Sequence, residues 1–407
     1  MLFTSFLFLF TFSYSLQEKQ TSNDLSTEAV VKHEKLKYSS EANVNASLFK
    51  EEFVSDNKKF EKFFSAIENA NKKFKKCLGD SCDCFANQIE ADLKLFPSIS
   101  SKDIEESKEL GVHYQVINHK LYRQQSCAFP LRCKGIEYFL LKLLPDLNDS
   151  EFIINVHDWP QVPKYRTKAV PVLSFSKDVS EYNDILYPAW SFWSGGPAID
   201  GHPMGIGRWD LLRQSIVKSN VAWNKKKSVA FFRGSRTSEE RDPLILLSRR
   251  QPNIIDAKYT KNQAWRSKSD TLGEEPAKVI SFEKQCNYKY LFNLRGVAAS
   301  FRHRHLFLCK SLVLNVESPW IEFYYRQMKP WIHYVPIDHK FADVEETLEF
   351  LLSNDDIAEK IANTGYEFIW NHLTFDALEC YWRKLLKTYE MRLLYKPKHV
   401  KTLIEIR

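Results

Sequence analysis

Short apolar runs alternate with helix-like segments along most of this chain, and that alternation restricts its fold more than any other feature. A first set of runs includes Phe152–Val156 and Ala169–Ser176. A second set comprises Ser228–Gly234, Tyr290–Gly296, Ser311–Val316 and Ile332–Ile337. Buried strands that alternate with helices are typical of α/β proteins with mostly parallel sheets. The sequence therefore predicts an α/β fold with two Rossmann-like domains that face each other across a cleft.

A chain of 407 residues is long enough for two domains. We expect them at residues 57–220 and 221–373, with a terminal helix and tail at 374–407 that pack back on the first domain. Residues 1–16 form an apolar run of signal-peptide length, and residues 17–56 form a polar lead whose composition predicts disorder. The alternative for residues 1–16 is an uncleaved membrane anchor, because the usual positive residues before the apolar run are missing. No later segment is apolar enough to span a membrane.

The cysteines agree with passage through the secretory pathway. The chain has eight of them, and an even number behind a signal peptide predicts four disulfides. The sequons at Asn45 and Asn148 predict glycosylation at these two positions. The C-terminus carries no KDEL-type retrieval signal.

Composition argues against a nucleic-acid partner and against a metal site. The net charge of +7 is spread over short, separate lysine clusters, with no zinc-finger spacing or RNA-binding aromatic motif beside them. Cys77, Cys82 and Cys84 have no histidine nearby. His303 and His305 lack a third placed ligand, and the chain contains no Asp-x-Asp triplet. We therefore expect neither nucleic acid nor a bound metal.

Asp158 is a candidate general base. It lies in a His-Asp-Trp-Pro turn directly after the apolar run that ends at Val156. Functional groups of open α/β sheets gather beyond the carboxyl ends of strands, where a carboxylate can accept a proton from a hydroxyl group. The alternative is an ordinary turn carboxylate before proline.

Two further segments have the composition of an anion site. Arg233, Arg236 and Arg241 surround glycine and serine residues after the first strand of the second set. The segment Arg295–Arg302 runs from a strand end into an expected helix start at Ala299–Ser300, where free N–H groups and the helix dipole favour an anion. Guanidinium groups hold phosphate through paired hydrogen bonds. The alternatives are an exposed loop of ion pairs and tight helix–sheet packing.

Several motifs of this chain occur together in a known family. They are Cys127–Cys133, Asn155–Pro163, Tyr187–Trp193, Gly205–Asp210, Phe232–Ser238, Tyr259–Trp265, Tyr288–Asn293 and Arg295–Arg302. As a set, from about Cys77 to Leu386, they resemble the protein O-glucosyltransferase family typified by Rumi, within the capsule-associated-protein-like (KDEL-motif) glycosyltransferases.

This resemblance implies an inverting enzyme of the GT-B fold that needs no metal or other cofactor. The family transfers glucose from UDP-glucose to serine in the sequence C-x-S-x-(P/A)-C of folded EGF-like domains. Residues 57–220 would then form the acceptor side and residues 221–373 the UDP-sugar side. The resemblance also implies residence in the lumen of the endoplasmic reticulum, with secretion as the alternative because no KDEL-type tail is present. Nothing in the sequence demands more than a monomer.

The resemblance assigns roles to individual residues. Asp158 matches the catalytic base. The matching donor-binding positions are Ser235, Arg241, Val297, Ala298, Ala299, Ser300, Phe301, Arg302 and His202. The matching acceptor-binding positions are Ala128, Phe129, Pro130, Leu131, Arg132, Ala198, Ile199, Asp200, Gly201 and Pro203. The disulfides that it implies are Cys77–Cys84, Cys82–Cys380, Cys127–Cys133 and Cys286–Cys309.

One departure from the family keeps the donor sugar open. His202 stands where the family typically has tyrosine, in a loop that is one residue shorter. A protein or glycan O-xylosyltransferase that uses UDP-xylose is therefore the first alternative function. The second is a non-catalytic lumenal protein that binds EGF-like domains.

Overall fold

The computed structural model describes residues 58–77, 83–197, 206–262 and 264–407. Its helices are α1 (Glu61–Lys73), α2 (Ala86–Leu93), α3 (Ser101–Ser107), α4 (Pro130–Leu143), α5 (Trp209–Lys218), α6 (Asp242–Arg250), α7 (Phe282–Gln285), α8 (His303–Phe307), α9 (Val344–Ser353), α10 (Asp355–His372) and α11 (Phe375–Glu390). Its strands are β1 (Val112–Ile117), β2 (Lys120–Arg123), β3 (Ser150–Ile154), β4 (Val172–Ser174), β5 (Lys177–Asp178), β6 (Ile185–Leu186), β7 (Lys227–Gly234), β8 (Ile255–Tyr259), β9 (Tyr288–Asn293), β10 (Leu312–Val316), β11 (Trp320–Ile321), β12 (Val335–Ile337) and β13 (Ile404–Ile406).

The first sheet has the strand order β13-β2-β1-β3-β4-β6 and is mixed. β1 is antiparallel to β2 and to β3, whereas β3, β4 and β6 run parallel. Asn118 and His119 join β1 to β2 with positive φ angles of 49° and 56°, as a tight hairpin turn requires. The expectation of mostly parallel sheets is therefore wrong for this sheet, because a two-residue turn reverses the chain.

The second sheet is wholly parallel, with the order β12-β10-β9-β7-β8. Counted along the chain from β7, this is the doubly wound order 2-1-3-4-5, in which the winding direction changes between β7 and β9. Open α/β sheets bind ligands at the carboxyl ends of the strands beside such a change. The topology therefore places a cleft after β7 and β9. Together the two sheets give the α/β arrangement expected of a GT-B enzyme.

The two faces of the second sheet are both buried. Phe231 of β7 and Leu291 of β9 belong to a core that continues into the first sheet. Their neighbours Phe232 and Phe292 belong to a separate core on the opposite face. Side chains alternate between the faces of a strand, so a strand that is covered on both sides has a continuous apolar sequence. This is why the second set of apolar runs located these strands.

The C-terminal region returns to the first sheet. α11 packs against α2 and α4, and the Tyr381 hydroxyl on α11 donates to the carbonyl of Leu186 at 3.1 Å. β13 then pairs antiparallel with β2 as an edge strand. The tail thus contains a strand, which at three residues is too short to show an alternating pattern.

The first described helix packs on the second half of the molecule, although the sequence places it in the first domain. Phe63 of α1 is buried and its ring stacks on that of Phe350 in α9, with 4.6 Å between the centroids. Lys59 and Lys62 form ion pairs with glutamates of α9. An amphipathic pattern identifies the buried face of a helix but not the surface that covers it.

Disulfides join Cys77 to Cys84, Cys127 to Cys133 and Cys286 to Cys309, as the resemblance implies. Cys380 is also disulfide-bonded, and its expected partner Cys82 lies outside the described residues. The predicted signal peptide and polar lead lie outside them too. Within the described part of the chain, no helix has the length and apolarity needed to cross a membrane.

Candidate active site

A cavity of about 970 Å³ lies between the two halves, beyond the carboxyl ends of β3, β7 and β9. Asp158 lines it from the turn after β3, and Ser235 lines it from the loop after β7. Residues 296–302 line it from the loop after β9. Its volume lies at the upper end of the range for small-molecule sites. The sheet topology and the candidate residues therefore point to the same place.

Asp158 lies in a turn that is organised by the buried side chain of Asn155. The Asn155 side-chain oxygen accepts from the N–H of His157 at 2.8 Å. Its amide donates to the carbonyl of Trp159 at 2.7 Å and to the Ser174 hydroxyl at 3.0 Å. Asparagine stabilises turns by such bonds to nearby backbone. The backbone on both sides of Asp158 is thereby fixed, while its side chain stays 41% exposed.

Arg132 is the cationic partner of Asp158. Its Nη2 lies 3.1 Å from Oδ1 of Asp158, and its Nη1 donates to the carbonyl of Val156 at 2.7 Å. The guanidinium group also lies over the rings of Phe129 and Trp190, at 4.2 and 4.5 Å from their centroids. With these four contacts, Arg132 holds a defined position at the start of α4.

The rest of the predicted acceptor segment lies outside the cavity wall. Arg132 lines the cavity, whereas Ala128, Phe129, Pro130 and Leu131 do not. Phe129 and Leu131 are 39% and 42% exposed, so their side chains are available at the surface beside it.

Arg241 is buried and Arg302 is half-buried at the wall formed by the second sheet. Nε and Nη2 of Arg241 donate to the carbonyl of Arg295 at 2.9 and 2.5 Å, and Nη1 donates to the carbonyl of Ser235 at 2.7 Å. These bonds tie the loop after β7 to the loop after β9. Arg302 donates to the carbonyl of Arg233, at the end of β7.

Neither Arg241 nor Arg302 forms an ion pair with a carboxylate in the described part of the chain. Burial, together with repulsion from Arg302, lowers the pKa of Arg241 to about 9. Burial lowers the pKa of Arg302 to about 10. Both pKa values lie above neutral pH, so both groups are cations at pH 7. Because a buried charge without a partner is unfavourable, an anion in the cavity would stabilise this arrangement.

The guanidinium group of Arg302 can lie close to the backbone at position 234 because this residue is glycine. A Cβ atom at Gly234 would lie 2.6 Å from Nη2 of Arg302, closer than real Cβ contacts allow. Glycine permits this approach because it has no side chain.

The predicted donor segment Val297–Arg302 lines the cavity along its whole length. The helix after it begins only at His303 and has five residues, so the predicted helix start at Ala299–Ser300 is wrong. Ala299 lies in a bend and Ser300 directly follows it, and both residues are buried. The positive charge available to an anion therefore comes from the arginines rather than from a helix dipole at Ala299.

Several predicted positions lie outside the described residues. They are Asn45, Ala198, Ile199, Asp200, Gly201, His202 and Pro203. The other predicted glycosylation site, Asn148, is exposed at the surface, where its amide donates to Glu390 at 2.7 Å.

Part of the cavity wall consists of residues that the sequence patterns do not predict. Thr260, Lys261, Asn262 and Ala264 line it from the loop after β8, and Val279–Phe282 line it from the segment that leads into α7. The first group belongs to the Tyr259–Trp265 motif, which carries the resemblance but no assigned role. Its position after a strand of the second sheet would have identified it, but β8 alternates buried and partly exposed residues and lacks a continuous apolar run.

His303 and His305 have protein partners. Nδ1 of His303 lies 3.0 Å from the Tyr324 hydroxyl, and Nδ1 of His305 lies 2.9 Å from the carbonyl of Phe301. Burial, reinforced by the charge of Arg304, lowers the pKa of His303 to about 3. His303 is therefore a neutral core residue at physiological pH.

Arg304 connects the two halves of the molecule behind the cavity. Its Nη2 donates to the Ser191 hydroxyl at 2.7 Å, and its guanidinium group lies 4.1 Å from the centroid of the Phe192 ring. Glu322 lies 3.7 Å from its Nη1, and both charged side chains are almost fully buried. Ser191 directly follows Trp190, whose ring contacts Arg132. The bond from Arg304 to Ser191 therefore fixes the donor segment, which ends at Arg302, relative to Arg132 and Asp158.

Comparison with known proteins agrees with this geometry. The model described as glycosyl transferase family 90 matches residues 77–407. The O-glucosyltransferase rumi homolog of Anopheles gambiae is 52% identical over 352 residues, which cover 85% of this chain and 88% of that protein. Protein O-glucosyltransferase 1 of Homo sapiens is 51% identical over 343 residues, with coverages of 83% and 87%. O-glucosyltransferase rumi of Drosophila melanogaster is 51% identical over 352 residues, with coverages of 84% and 85%.

The matched region contains the cavity and both halves that form it. Sequence identities of 51–52% over 83–88% of each chain show that these proteins belong to one family. This chain therefore belongs to glycosyl transferase family 90 and is a glycosyl-transferring enzyme.

Proposed function

We propose that this enzyme is an inverting protein O-glucosyltransferase that moves glucose from UDP-glucose to a serine in the C-x-S-x-(P/A)-C sequence of folded EGF-like domains. The names of its relatives support the transfer of glucose to protein. The observation that carries the proposal is the pairing, in one cavity, of a carboxylate with two cations, of which Arg241 is buried and Arg302 half-buried. Asp158 lines one wall, and Arg241 and Arg302 line the other without a carboxylate partner among the described residues.

The reaction that fits this pairing is a single displacement. The serine oxygen attacks C1 of glucose while Asp158 takes the hydroxyl proton. The bond from C1 to the β-phosphate oxygen breaks, and UDP leaves with the electron pair. Attack from the side opposite the leaving group inverts the configuration at C1. A positioned base of this kind contributes roughly 10²–10⁴-fold to the rate.

Arg241 and Arg302 would stabilise the charge that develops on the diphosphate. Preorganised cations act most strongly where water is excluded, and Arg241 is buried while Arg302 is half-buried. Ser235 and Ser300 line the same wall and offer hydroxyl groups. The scheme routes no step through a metal ion, so we expect turnover to persist in EDTA.

We also propose which part of the chain binds each substrate and in which compartment the enzyme acts. We assign the acceptor side to residues 57–220, apart from α1, and the UDP-sugar side to residues 221–373. We also propose a monomer that acts in the lumen of the endoplasmic reticulum. The disulfides support an oxidising compartment, where such bonds form and persist.

The experiment that tests the proposal measures UDP release by the purified protein with a folded EGF-like domain and either UDP-glucose or UDP-xylose. An acceptor whose serine is replaced by alanine is the first control. Asp158→Asn should lower turnover by about 10²–10⁴-fold while UDP binding is retained. Asp146→Asn, at a surface ion pair with Arg383, is the matched variant that should remain active.

The outcomes separate the alternatives. Serine-dependent release from UDP-glucose supports the proposal, whereas a preference for UDP-xylose would make the protein a xylosyltransferase. UDP binding without release in either reaction would indicate a different acceptor. Absence of UDP binding would favour the non-catalytic binder of EGF-like domains.

A further inference from the structure

A second groove, of about 270 Å³, lies on the surface where the two halves meet. Four aromatic side chains line it: Trp159, Tyr165, Tyr182 and Trp320. Trp159 directly follows Asp158 and is 43% exposed, and Tyr165 is 89% exposed. Single exposed aromatic residues are ordinary, but several around one groove indicate a binding surface. We call this feature the aromatic groove.

Hydrogen bonds between the two halves hold the aromatic groove in shape. β5 and β11 form a two-stranded sheet in which Asp178 lies opposite Trp320. The N–H of Val179 donates to the carbonyl of Pro319 at 3.0 Å. The indole N–H of Trp159 donates to the Tyr182 hydroxyl at 2.6 Å, and its ring meets Trp320 at 4.9 Å between centroids. A groove that is formed in advance costs little ordering entropy when a partner binds.

The charged side chains around the aromatic groove are mostly acidic. Asp178, Glu181 and Glu240 line it, and Arg295 is the only cationic residue among its described lining. This balance is opposite to that of the whole chain, whose net charge is +7. The ammonium group of Lys164, next to Tyr165 in the chain, is bonded to the carbonyl of Val179 at 2.8 Å.

One cation already occupies part of the aromatic groove. The guanidinium group of Arg295 pairs with Glu240 at 2.5 Å and lies 5.9 Å from the centroid of the Trp320 ring. Asp178 and Glu181 line the same groove, with Trp159, Tyr165 and Tyr182. Aromatic rings attract cations through their quadrupole, and carboxylates add a direct charge attraction. The groove therefore offers a second cation the same two kinds of partner as Arg295 has.

We propose that the aromatic groove binds a lysine or arginine side chain of the protein acceptor. The proposal rests on the proposed function, because the acceptor must bring its serine to Asp158, one residue from Trp159. An acceptor protein large enough to do so also covers the adjoining surface. The volume is below the ~300–1,000 Å³ of small-molecule pockets and suits one long side chain better than a separate ligand.

The test measures steady-state transfer as a function of acceptor concentration for Tyr165→Ala and Glu181→Gln. Each variant should raise KM for the acceptor by about fivefold or more, because a cation loses an aromatic or an acidic partner. The kcat at saturating acceptor and the affinity for UDP should not change. Added NaCl should raise KM less steeply for Glu181→Gln than for the unsubstituted enzyme, since one charge attraction is absent.

Two matched variants serve as controls. Leu211→Ala truncates a side chain on α5 that is 58% exposed, and Glu367→Gln removes an exposed charge on α10. Neither residue lines the aromatic groove, and neither variant should change KM.

A double-mutant cycle identifies the occupant. Each lysine and arginine of the acceptor is replaced by alanine in turn, with the unsubstituted enzyme and with Glu181→Gln. One acceptor position should lose its effect on KM in the variant, since interacting residues are not additive. Transfer with unchanged KM in both variants, or no acceptor position coupled to Glu181, would overturn this proposal alone. Absence of transfer by the unsubstituted enzyme would overturn the proposed function and this proposal together.

Discussion

The guanidinium group of Arg132 lies 3.1 Å from the carboxylate of Asp158, and the two residues come from different elements of the first half. Arg132 lies in the first turn of α4, within the Cys127–Cys133 disulfide loop, and Asp158 follows β3. The resemblance assigns one to acceptor contact and the other to proton transfer. Their contact gives Arg132 a second task, which is to hold the carboxylate in one orientation at the cavity wall.

Replacing Arg132 tests this task. Arg132→Lys should lower kcat at least about tenfold, because lysine cannot keep the planar contact with two rings and the bonds to Asp158 and Val156 together. UDP affinity, measured by calorimetric titration, should stay the same. Arg383→Lys, at the surface pair with Asp146, is the matched control. Equal kcat values for both variants would show that Arg132 does not position Asp158.

Gly234→Ala tests the close approach of Arg302. The added methyl group would meet Nη2 of Arg302 at 2.6 Å, so the guanidinium group must move. We expect UDP affinity to fall about tenfold, the scale of one displaced charge-assisted hydrogen bond. Gly207→Ala is the control, because a Cβ atom at Gly207 meets nothing within 4 Å. Retained UDP affinity in Gly234→Ala would remove Arg302 from the donor site.

Glu322 predicts a pH dependence of stability. Burial raises its pKa from 4.5 to about 7, so the native state binds more protons than the unfolded chain between these values. Stability from this group is therefore full below pH 4.5 and is lost as pH rises toward 7. The melting temperature of Glu322→Gln, relative to the unsubstituted protein, should rise between about pH 5 and pH 8. A difference that stays constant with pH would mean that Glu322 does not titrate in this range.

Phe63→Ala tests the packing of α1 on the second half. Its ring is 5% exposed and stacks on Phe350, so truncation should cost roughly 3–5 kcal/mol of unfolding free energy. Urea unfolding measures this loss. Leu352→Ala, at an α9 side chain that is 39% exposed, should change stability much less. If Phe63→Ala is as mild as this control, α1 is not docked on α9 in solution.

The local sequence pattern was enough to locate the strands that are buried on both faces. The runs at Ser228–Gly234 and Ser311–Val316 lie within one residue of β7 and β10 at their starts and match them at their ends. The hairpin β1–β2 and the edge strand β13 were missed, because one is joined by a two-residue turn without glycine and the other has three residues. The antiparallel character of the first sheet is likewise a property of pairing, which no single run encodes.

Sequence patterns were enough to predict the α/β class, the approximate positions of the central strands, and the residues whose motifs resemble a known family. Which of these residues meet is a property of the tertiary structure. It brought Asp158 to Arg132, turned Arg241 toward the carbonyls of two loops, and placed Trp159 beside Trp320. The difference arises from the distance along the chain over which each effect acts. Periodicity and turn chemistry act over a few residues, whereas an ion pair, a cavity or a groove depends on how distant segments pack and on which charges that packing removes from water.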